Sequence, residues 1–443
     1  MSKKLTELPH PKGSLILGHR SAFARNQLEF LTKCANEYGD IVPLLFGQTP
    51  ACLLNHPDYI EQVLRKRELF VKRGDLLRNI LGDGLVTAKG ESWFRQRRLV
   101  QPVFHQKRIA NYAKVMVDYT ESLLETWQDG EIRDIHGDMS SLTLDIVVKT
   151  IFNIDFNNIE AKTIGYALSE SLDWIERRRK EIPVIGKLFS FSGNLRFQKA
   201  MQDMDETIYK VIHQRRQDRD NGDLLSMLIQ AEDEADGSSM NDKQLRDEVA
   251  TLMIAGHETT ANTLAWTWML LSQHPQVQDK LLTELEEVLN GRSPSIEDIP
   301  HLRYTEMVIK EAMRLYPPVP FIPRKAAVDT EIDGYSIPAG CVLIMSQWVM
   351  HRHPRYFSEP LTFIPERWRD NFEKTLPRGV YFPFGDGPRI CVGKSFALME
   401  AVLLLATIAQ KFQIKLVPDF EITPQVAVAL RPRNGIKVLV TKR

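Results

Sequence analysis

From Asn241 to about Gln273 the chain runs without a proline, in an apolar pattern that suits one continuous helix. The Asn241 side chain can cap its start while Gln244 closes a capping-box-like pair, and His274-Pro275 ends it. At 1.5 Å per residue the element would be roughly 50 Å long, enough to cross a whole domain. Any fold for this chain must therefore be organised around that helix. Ala255 and Gly256 lie in its middle. Glycine in a helix costs about 1 kcal/mol relative to alanine, so something is expected to approach the backbone there.

Helical periodicity extends over about residues 91–315. Short β-prone runs (IVPLLFG, ACLLN) fall at about 35–70, and Pro-rich extended stretches begin a second β region at about 316. A long irregular segment follows from about His351 to Ile390, then a helix from about Lys394 to Phe412 with Leu398, Val402, Leu405, Ala409 and Phe412 on one face. The tail reads as a closing hairpin, with Arg431, Pro432, Asn434 and Gly435 as turn material. The fold class expected is mainly α with a minor β lobe, in one domain spanning 1–443. With 43% hydrophobic and 26% charged residues there is enough apolar material for a large core, and 57 basic against 57 acidic residues leave no overall field to attract nucleic acid. Four scattered cysteines (34, 52, 341, 391) exclude a disulfide scaffold, and no apolar run has the length of a signal peptide or membrane span. A cytoplasmic monomer without a transmembrane anchor is the expectation.

The segment Phe384-Gly385-Asp386-Gly387-Pro388-Arg389-Ile390-Cys391-Val392-Gly393 concentrates glycines, an arginine and a cysteine directly before a helix. Glycines let the backbone approach a flat object, and the helix N-terminus favours a thiolate at Cys391, the form that binds iron. Cys34, Cys52 and Cys341 read as inert small hydrophobes. These ten residues match the haem-binding FGxGxRxCxG signature, and on that basis the chain resembles the cytochrome P450 family. The resemblance implies haem b with Cys391 as the metal ligand, and Phe384, Gly385, Gly393 and Arg389 beside the cofactor.

Three more motifs occur in the order of that family. Glu311-Ala312-Met313-Arg314 and Pro365-Glu366-Arg367-Trp368 imply a buried triad of Glu311, Arg314 and Arg367 that supports the cysteine loop. Ala255-Gly256-His257-Glu258-Thr259-Thr260 invites a zinc reading, but an HExxH site needs histidine where Ala261 stands. In the family this stretch crosses the distal haem face, with Ala255 and Gly256 giving room, Thr259 as the oxygen-binding hydroxyl and Glu258 as the proton-relay acid. The plainer reading of Thr259 is a hydroxyl satisfied by the carbonyl one turn back. Trp93 and Arg97 form a WxxxR pair that, with Arg324 and Arg389, is implied to hold the haem propionates. His105 and His353 read as ordinary polar residues.

The resemblance implies a monooxygenase: one atom of O2 enters a C–H bond and NAD(P)H supplies electrons through a partner. Only 52 residues follow Cys391, so the donor is expected to be a separate ferredoxin or flavodoxin-type protein with its reductase. Arg95, Arg97, Arg98, Lys107 and Arg108 form the basic patch on which it would dock. The expected pocket walls (Leu76, Leu77, Ile80, Leu85, Val86, Ile254, Val319, Phe321, Ile322, Val428) are apolar and imply a lipophilic substrate, with Ile182–Phe191 as an access lid. Long-chain fatty acids are the first expectation, terpenoids or retinoids the alternative. A peroxygenase or isomerase would lack the Glu258-Thr259 pair. A non-catalytic haem sensor would need no proton relay.

Overall fold

The computed structural model describes residues 3–72, 75–154, 159–180, 191–217, 222–233 and 236–443. The fold is mainly α with small sheets. Contacts divide the chain into two compact units, Met1–Arg73 with Met307–Cys391 and Gly74–Glu306 with Val392–Arg443.

The first unit is built on a five-stranded sheet in the order Ile41–Phe46, Thr49–Leu54, Val342–Met345, Ile322–Ala326, Phe70–Lys72. Only the Thr49–Leu54 and Val342–Met345 pair is parallel. Thr49–Leu54 and Val342–Met345 are buried along nearly their whole length, so both faces of the sheet are covered. One face carries Leu31, Val42, Leu44, Ala51, Leu53 and Ile344; the other carries Cys52, Leu54, Ile60, Leu343, Met345 and Phe357. The alternation of Leu343, Ile344 and Met345 between those faces is the period-two pattern of a strand. The sequence reading missed the helices before residue 91: Gln27–Tyr38, capped by Asn26, and Pro57–Arg65, capped by His56 with Pro57 in its first turn, lie within or beside the supposed β region.

The second unit centres on the helix Asp242–Gln273. The Asn241 carbonyl oxygen of the side chain accepts from Gln244 N–H at 2.9 Å and the Gln244 side chain accepts from Asn241 N–H at 3.1 Å, the expected capping box. Its most extensive neighbour is helix Ile135–Phe152. Helix Lys394–Lys411 differs from expectation: from Met399 to Ala409 it is buried all round, not on one face. A helix apolar on every side belongs in a core. The closing hairpin also moves. Pro424–Val426 pairs with Leu430–Pro432, so its tip lies at 427–429, and Arg431 and Pro432 are strand residues. Lys437–Lys442 then joins Phe412–Leu416 and Glu131–Asp134 in a separate antiparallel sheet. Among the described residues no helix is long and apolar enough to cross a membrane.

Candidate functional site

Cys34, Cys52 and Cys341 are buried, whereas Cys391 is exposed. Burial pushes the Cys34 thiol up to about 12, which suits an inert hydrophobe. Cys391 ends a loop closed on itself, its N–H donating to the Phe384 carbonyl at 2.9 Å and that of Gly385 to Phe382 at 2.9 Å. Asp386 accepts from the Gly387 N–H at 2.6 Å and starts a single 3-10 turn, Gly387–Arg389. Gly385 and Gly387 have φ of 72° and 69°. Both conformations favour glycine, and a Cβ on Gly387 would stand 2.6 Å from the Leu64 carbonyl oxygen. The loop is thus seated on helix Pro57–Arg65 with its thiol accessible.

The same unit holds a buried charge cluster. Glu311 and Arg314 have no exposed side-chain surface, and Arg367 has 5%. Arg314 donates from Nε and Nη2 to the two carboxylate oxygens of Glu311 at 2.9 and 2.8 Å, and from Nη1 and Nη2 to the carbonyls of His351, Pro360 and Thr362 at 2.8, 2.6 and 3.0 Å. All five guanidinium N–H groups therefore have acceptors. Glu311 also accepts from Arg367 Nε at 3.3 Å, Ile364 N–H at 3.0 Å and Trp368 Nε1 at 3.0 Å. The cluster ties the helix ending at Leu315 to the irregular segment that leads into the cysteine loop. His351, fully buried, adds a tie by accepting the Phe382 N–H at 3.0 Å on Nε2. Trp368 and His351 were not foreseen, because their partners are far away in sequence.

In the second unit the long helix is buried from Leu245 to Ile254 and again from Thr260 to Leu271. Between them Ala255 is exposed and Gly256, His257 and Thr259 are partly so, while Glu258 is buried. Ala255 and Thr259 are one turn apart and share a face. The Thr259 hydroxyl donates to the Ala255 carbonyl at 2.6 Å, which leaves its oxygen lone pairs as acceptors on that accessible face. At Gly256 the backbone is approached closely, as its glycine suggested. A Cβ there would lie 2.9 Å from Val147 Cγ2, so helix Ile135–Phe152 is what approaches the backbone. Two of the expected wall residues, Ile80 and Leu85, and Asp83 between them are strapped to the same helix. Asp83 N–H donates to Asp247 Oδ2 at 2.9 Å, Leu85 N–H to Glu248 Oε2 at 3.0 Å, and Arg246 Nη1 to the Ile80 carbonyl at 3.0 Å. Burial, reinforced by Asp247, pushes the Glu248 carboxyl up to about 8 against the opposing Leu85 N–H.

A sequence model described as Cytochrome P450 matches residues 8–440. The chain is 36% identical to cyclooctat-9-en-7-ol 5-monooxygenase of Streptomyces melanosporofaciens, over 91% of this chain and 88% of that one. It is 35% identical to cyclooctatin synthase of the same organism (95% and 92% covered) and 31% identical to pentalenene oxygenase of Streptomyces avermitilis (97% and 96%). The chain belongs to the cytochrome P450 family. It is a haem-thiolate monooxygenase acting on a lipophilic substrate with O2 and a redox partner.

The residues of this P450 fit an anionic cofactor in the first unit. The strand register sets Lys72 opposite Arg324, and Arg324 and Arg389 are close enough to depress the proton affinity of Lys72. Desolvation, with the two guanidinium groups, lowers Lys72 to about 7; desolvation lowers Arg324 to about 10, and desolvation with Arg324 and Arg67 lowers Arg389 to about 10. Cations gathered in a poorly solvated place are suited to carboxylates such as the propionates of haem. Lys72 was missed; its signal is a lone lysine closing the apolar strand Phe70-Val71-Lys72. In the second unit Trp93 is 3% exposed and Arg97 Nε donates to Gln101 at 3.1 Å.

The basic patch needs correction. Arg98 forms a two-pronged pair with buried Asp233 at 3.0 and 2.8 Å, and Arg95 donates to Ser238 and Ser239. Both cations are committed within the P450, because each lies against the buried Asp233 carboxylate, Arg98 at 2.8 Å and Arg95 at 3.8 Å. Lys107 and Arg108 stay exposed, Arg108 touching Met227 Sδ. Ile80, Leu85 and Ile254 are buried, and Leu77, Val86, Val319, Phe321, Ile322 and Val428 partly so. The side chain of Leu76 and the segment 181–190 lie outside the described residues, as does the Phe191 side chain. His353 accepts the Arg355 N–H at 3.1 Å, an ordinary polar role.

Proposed function

We propose that this P450 hydroxylates a terpenoid skeleton, with Cys391 as the thiolate ligand of haem b and Glu258 and Thr259 as the proton-handling pair. When bound, the haem supplies oxygen activation and insertion. The chain's own part is positioning. The closed loop Phe384–Cys391 holds the thiol, the Glu311 cluster fixes the loop's approach, and Lys72, Arg324, Arg389, Trp93 and Arg97 neutralise and orient the propionates. The Thr259 hydroxyl, oriented by the Ala255 carbonyl, accepts and passes protons, with Glu258 as their source.

The observation that carries this reading is the exposed Cys391 on a rigid glycine turn, in a chain whose other three cysteines are buried. The relatives' named reactions on cyclooctatenol and pentalenene favour a terpenoid over a long-chain fatty acid. Electrons come from a separate ferredoxin or flavodoxin-type donor, with Lys107 and Arg108 as docking cations, and the protein works as a cytoplasmic monomer. Reconstitution with a surrogate ferredoxin, its reductase and NAD(P)H tests the assignment. Hydroxylation of cyclic diterpene or sesquiterpene alcohols in preference to palmitate is expected; turnover of palmitate alone would replace the terpenoid reading.

A further inference from the structure

At residues 14–18 of the first unit the chain makes a tight turn whose apolar side chains point into solvent. Leu15, Ile16 and Leu17 are 106%, 85% and 47% exposed. Single exposed apolar residues are normal, but three in succession are not. The turn is held firmly. Ser14 and Gly18 exchange both backbone hydrogen bonds, at 2.8 and 2.9 Å, and Leu17 N–H donates to Ser14 Oγ at 3.1 Å. Gly47 N–H donates to the Leu17 carbonyl at 3.1 Å, fastening the turn to the end of strand Ile41–Phe46. His19 locks the base: its Nδ1 accepts the Leu45 N–H at 2.9 Å and its Nε2 donates to the Pro11 carbonyl at 2.9 Å. Gly18 has φ of 55°, and a Cβ there would overlap the Leu45 carbonyl. A scaffold of this kind keeps the three side chains from folding back onto the protein.

The charge around the turn is one-sided. Between residues 3 and 25 the sequence has Lys3, Lys4, Lys12, Arg20 and Arg25 against Glu7 alone, in a chain with no net charge. Lys12, Arg20 and Arg25 are exposed, and among the described residues none of them has a carboxylate partner. A rigid apolar tip between unpaired cations matches the boundary of an anionic bilayer, where apolar side chains enter the acyl region and cations meet headgroup phosphates. A protein partner of acidic and apolar surface offers similar chemistry, but Leu15 and Ile16 stand on the tip of a turn with their side chains almost wholly in solvent. Projection suits a fluid lipid surface better than a second folded one.

We propose that the turn 14–18 docks this P450 peripherally on anionic lipid membranes, by insertion of Leu15, Ile16 and Leu17 and by contact of Lys12, Arg20 and Arg25 with headgroups. Behind the turn Phe23 packs on Phe46 at 5.1 Å and on Phe321 at 5.8 Å between ring centroids. Phe321 is an expected wall of the substrate pocket, so the docked face adjoins apolar surface suited to a lipophilic substrate. That use rests on the proposed function, whereas the docking does not.

Flotation of the haem-loaded enzyme with vesicles of phosphatidylcholine and with vesicles containing about one-third phosphatidylglycerol tests the proposal. Binding to the anionic vesicles that weakens with salt is expected. It should fall about tenfold or more in Leu15→Asp/Ile16→Asp and about tenfold in Lys12→Glu/Arg20→Glu, with the haem spectrum unchanged in both. Wild-type enzyme that fails to float with anionic vesicles, or variants that float as the wild type does, would overturn it. So would a dimer in sedimentation velocity that Leu15→Asp/Ile16→Asp dissolves while vesicles capture nothing, because the tip would then be an interface between copies. Palmitate or terpenoid turnover does not enter this readout, so its failure is distinct from failure of the substrate assignment.

Discussion

Glu311 and Glu248 are both fully buried glutamates, and the molecule treats them in opposite ways. Glu311 receives two N–H groups of Arg314, one of Arg367, the Trp368 indole N–H and the Ile364 backbone. Glu248 receives one backbone N–H from Leu85, with Asp247 as its charged neighbour. Burial alone therefore does not decide what a carboxylate does. A carboxylate surrounded by guanidinium donors can anchor distant segments through charge-assisted hydrogen bonds, whereas one with a single amide donor is more cheaply kept protonated. The first holds the approach to the cysteine loop; the second straps the segment around Leu85 to the long helix with a group that can titrate.

The contrast can be broken most forcefully at Glu311. Glu311→Gln leaves Arg314 and Arg367 as uncompensated buried cations, so a loss of about 3–5 kcal/mol is expected, read as a lowered urea midpoint and loss of bound haem. A variant that kept its haem and its midpoint would show the cluster to be incidental. Gly84→Ala attacks the strap instead. Its Cβ would meet the Asp247 carbonyl oxygen at 2.4 Å, and a cost of about 1–3 kcal/mol is expected from the backbone shift that follows. Thermal melting reads it, and an unchanged Tm would mean that the strap yields freely.

Glu248→Gln should act in the other direction. The folded carboxyl titrates at about 8, above its ordinary 4.5, so between those values the native state keeps a proton that the unfolded chain releases. Stability from this group is complete below the ordinary value and is lost as pH rises through about 8. Glutamine keeps an oxygen for the Leu85 N–H and carries no charge. The variant is expected to be more stable than the wild type by at least about 1 kcal/mol at pH 8 and equal to it at pH 4, in urea titrations at the two pH values. A wild type whose stability rose over that range relative to the variant would contradict the account of Glu248.

Much of the site was legible because its chemistry is contiguous in sequence. Cys391 and its glycines occupy ten residues, Glu311 and Arg314 are one helical turn apart, and Asn241 with Gln244 forms a local box. What escaped is what depends on distant segments meeting. Lys72 meets Arg324 only through strand pairing, Trp368 meets Glu311 across 57 residues, and Glu248 meets Leu85 across 163. What approaches Gly256 is hidden in the same way, since nothing local reveals that Val147 lies against it. Arg95 and Arg98 looked like free cations because their partners, Ser238 and Asp233, lie more than a hundred residues on. The all-round burial of Lys394–Lys411 escaped because the eye picks one face from an apolar helix that has several.

The proposed chemistry depends on the sulfur of Cys391. Reduction of the purified haem-loaded protein under carbon monoxide should give the strongly red-shifted Soret band of a thiolate-ligated ferrous haem, and Cys391→His should hold haem while losing that band. Persistence of the band in Cys391→His, or its absence from folded, haem-loaded wild type, would contradict the assignment of this residue.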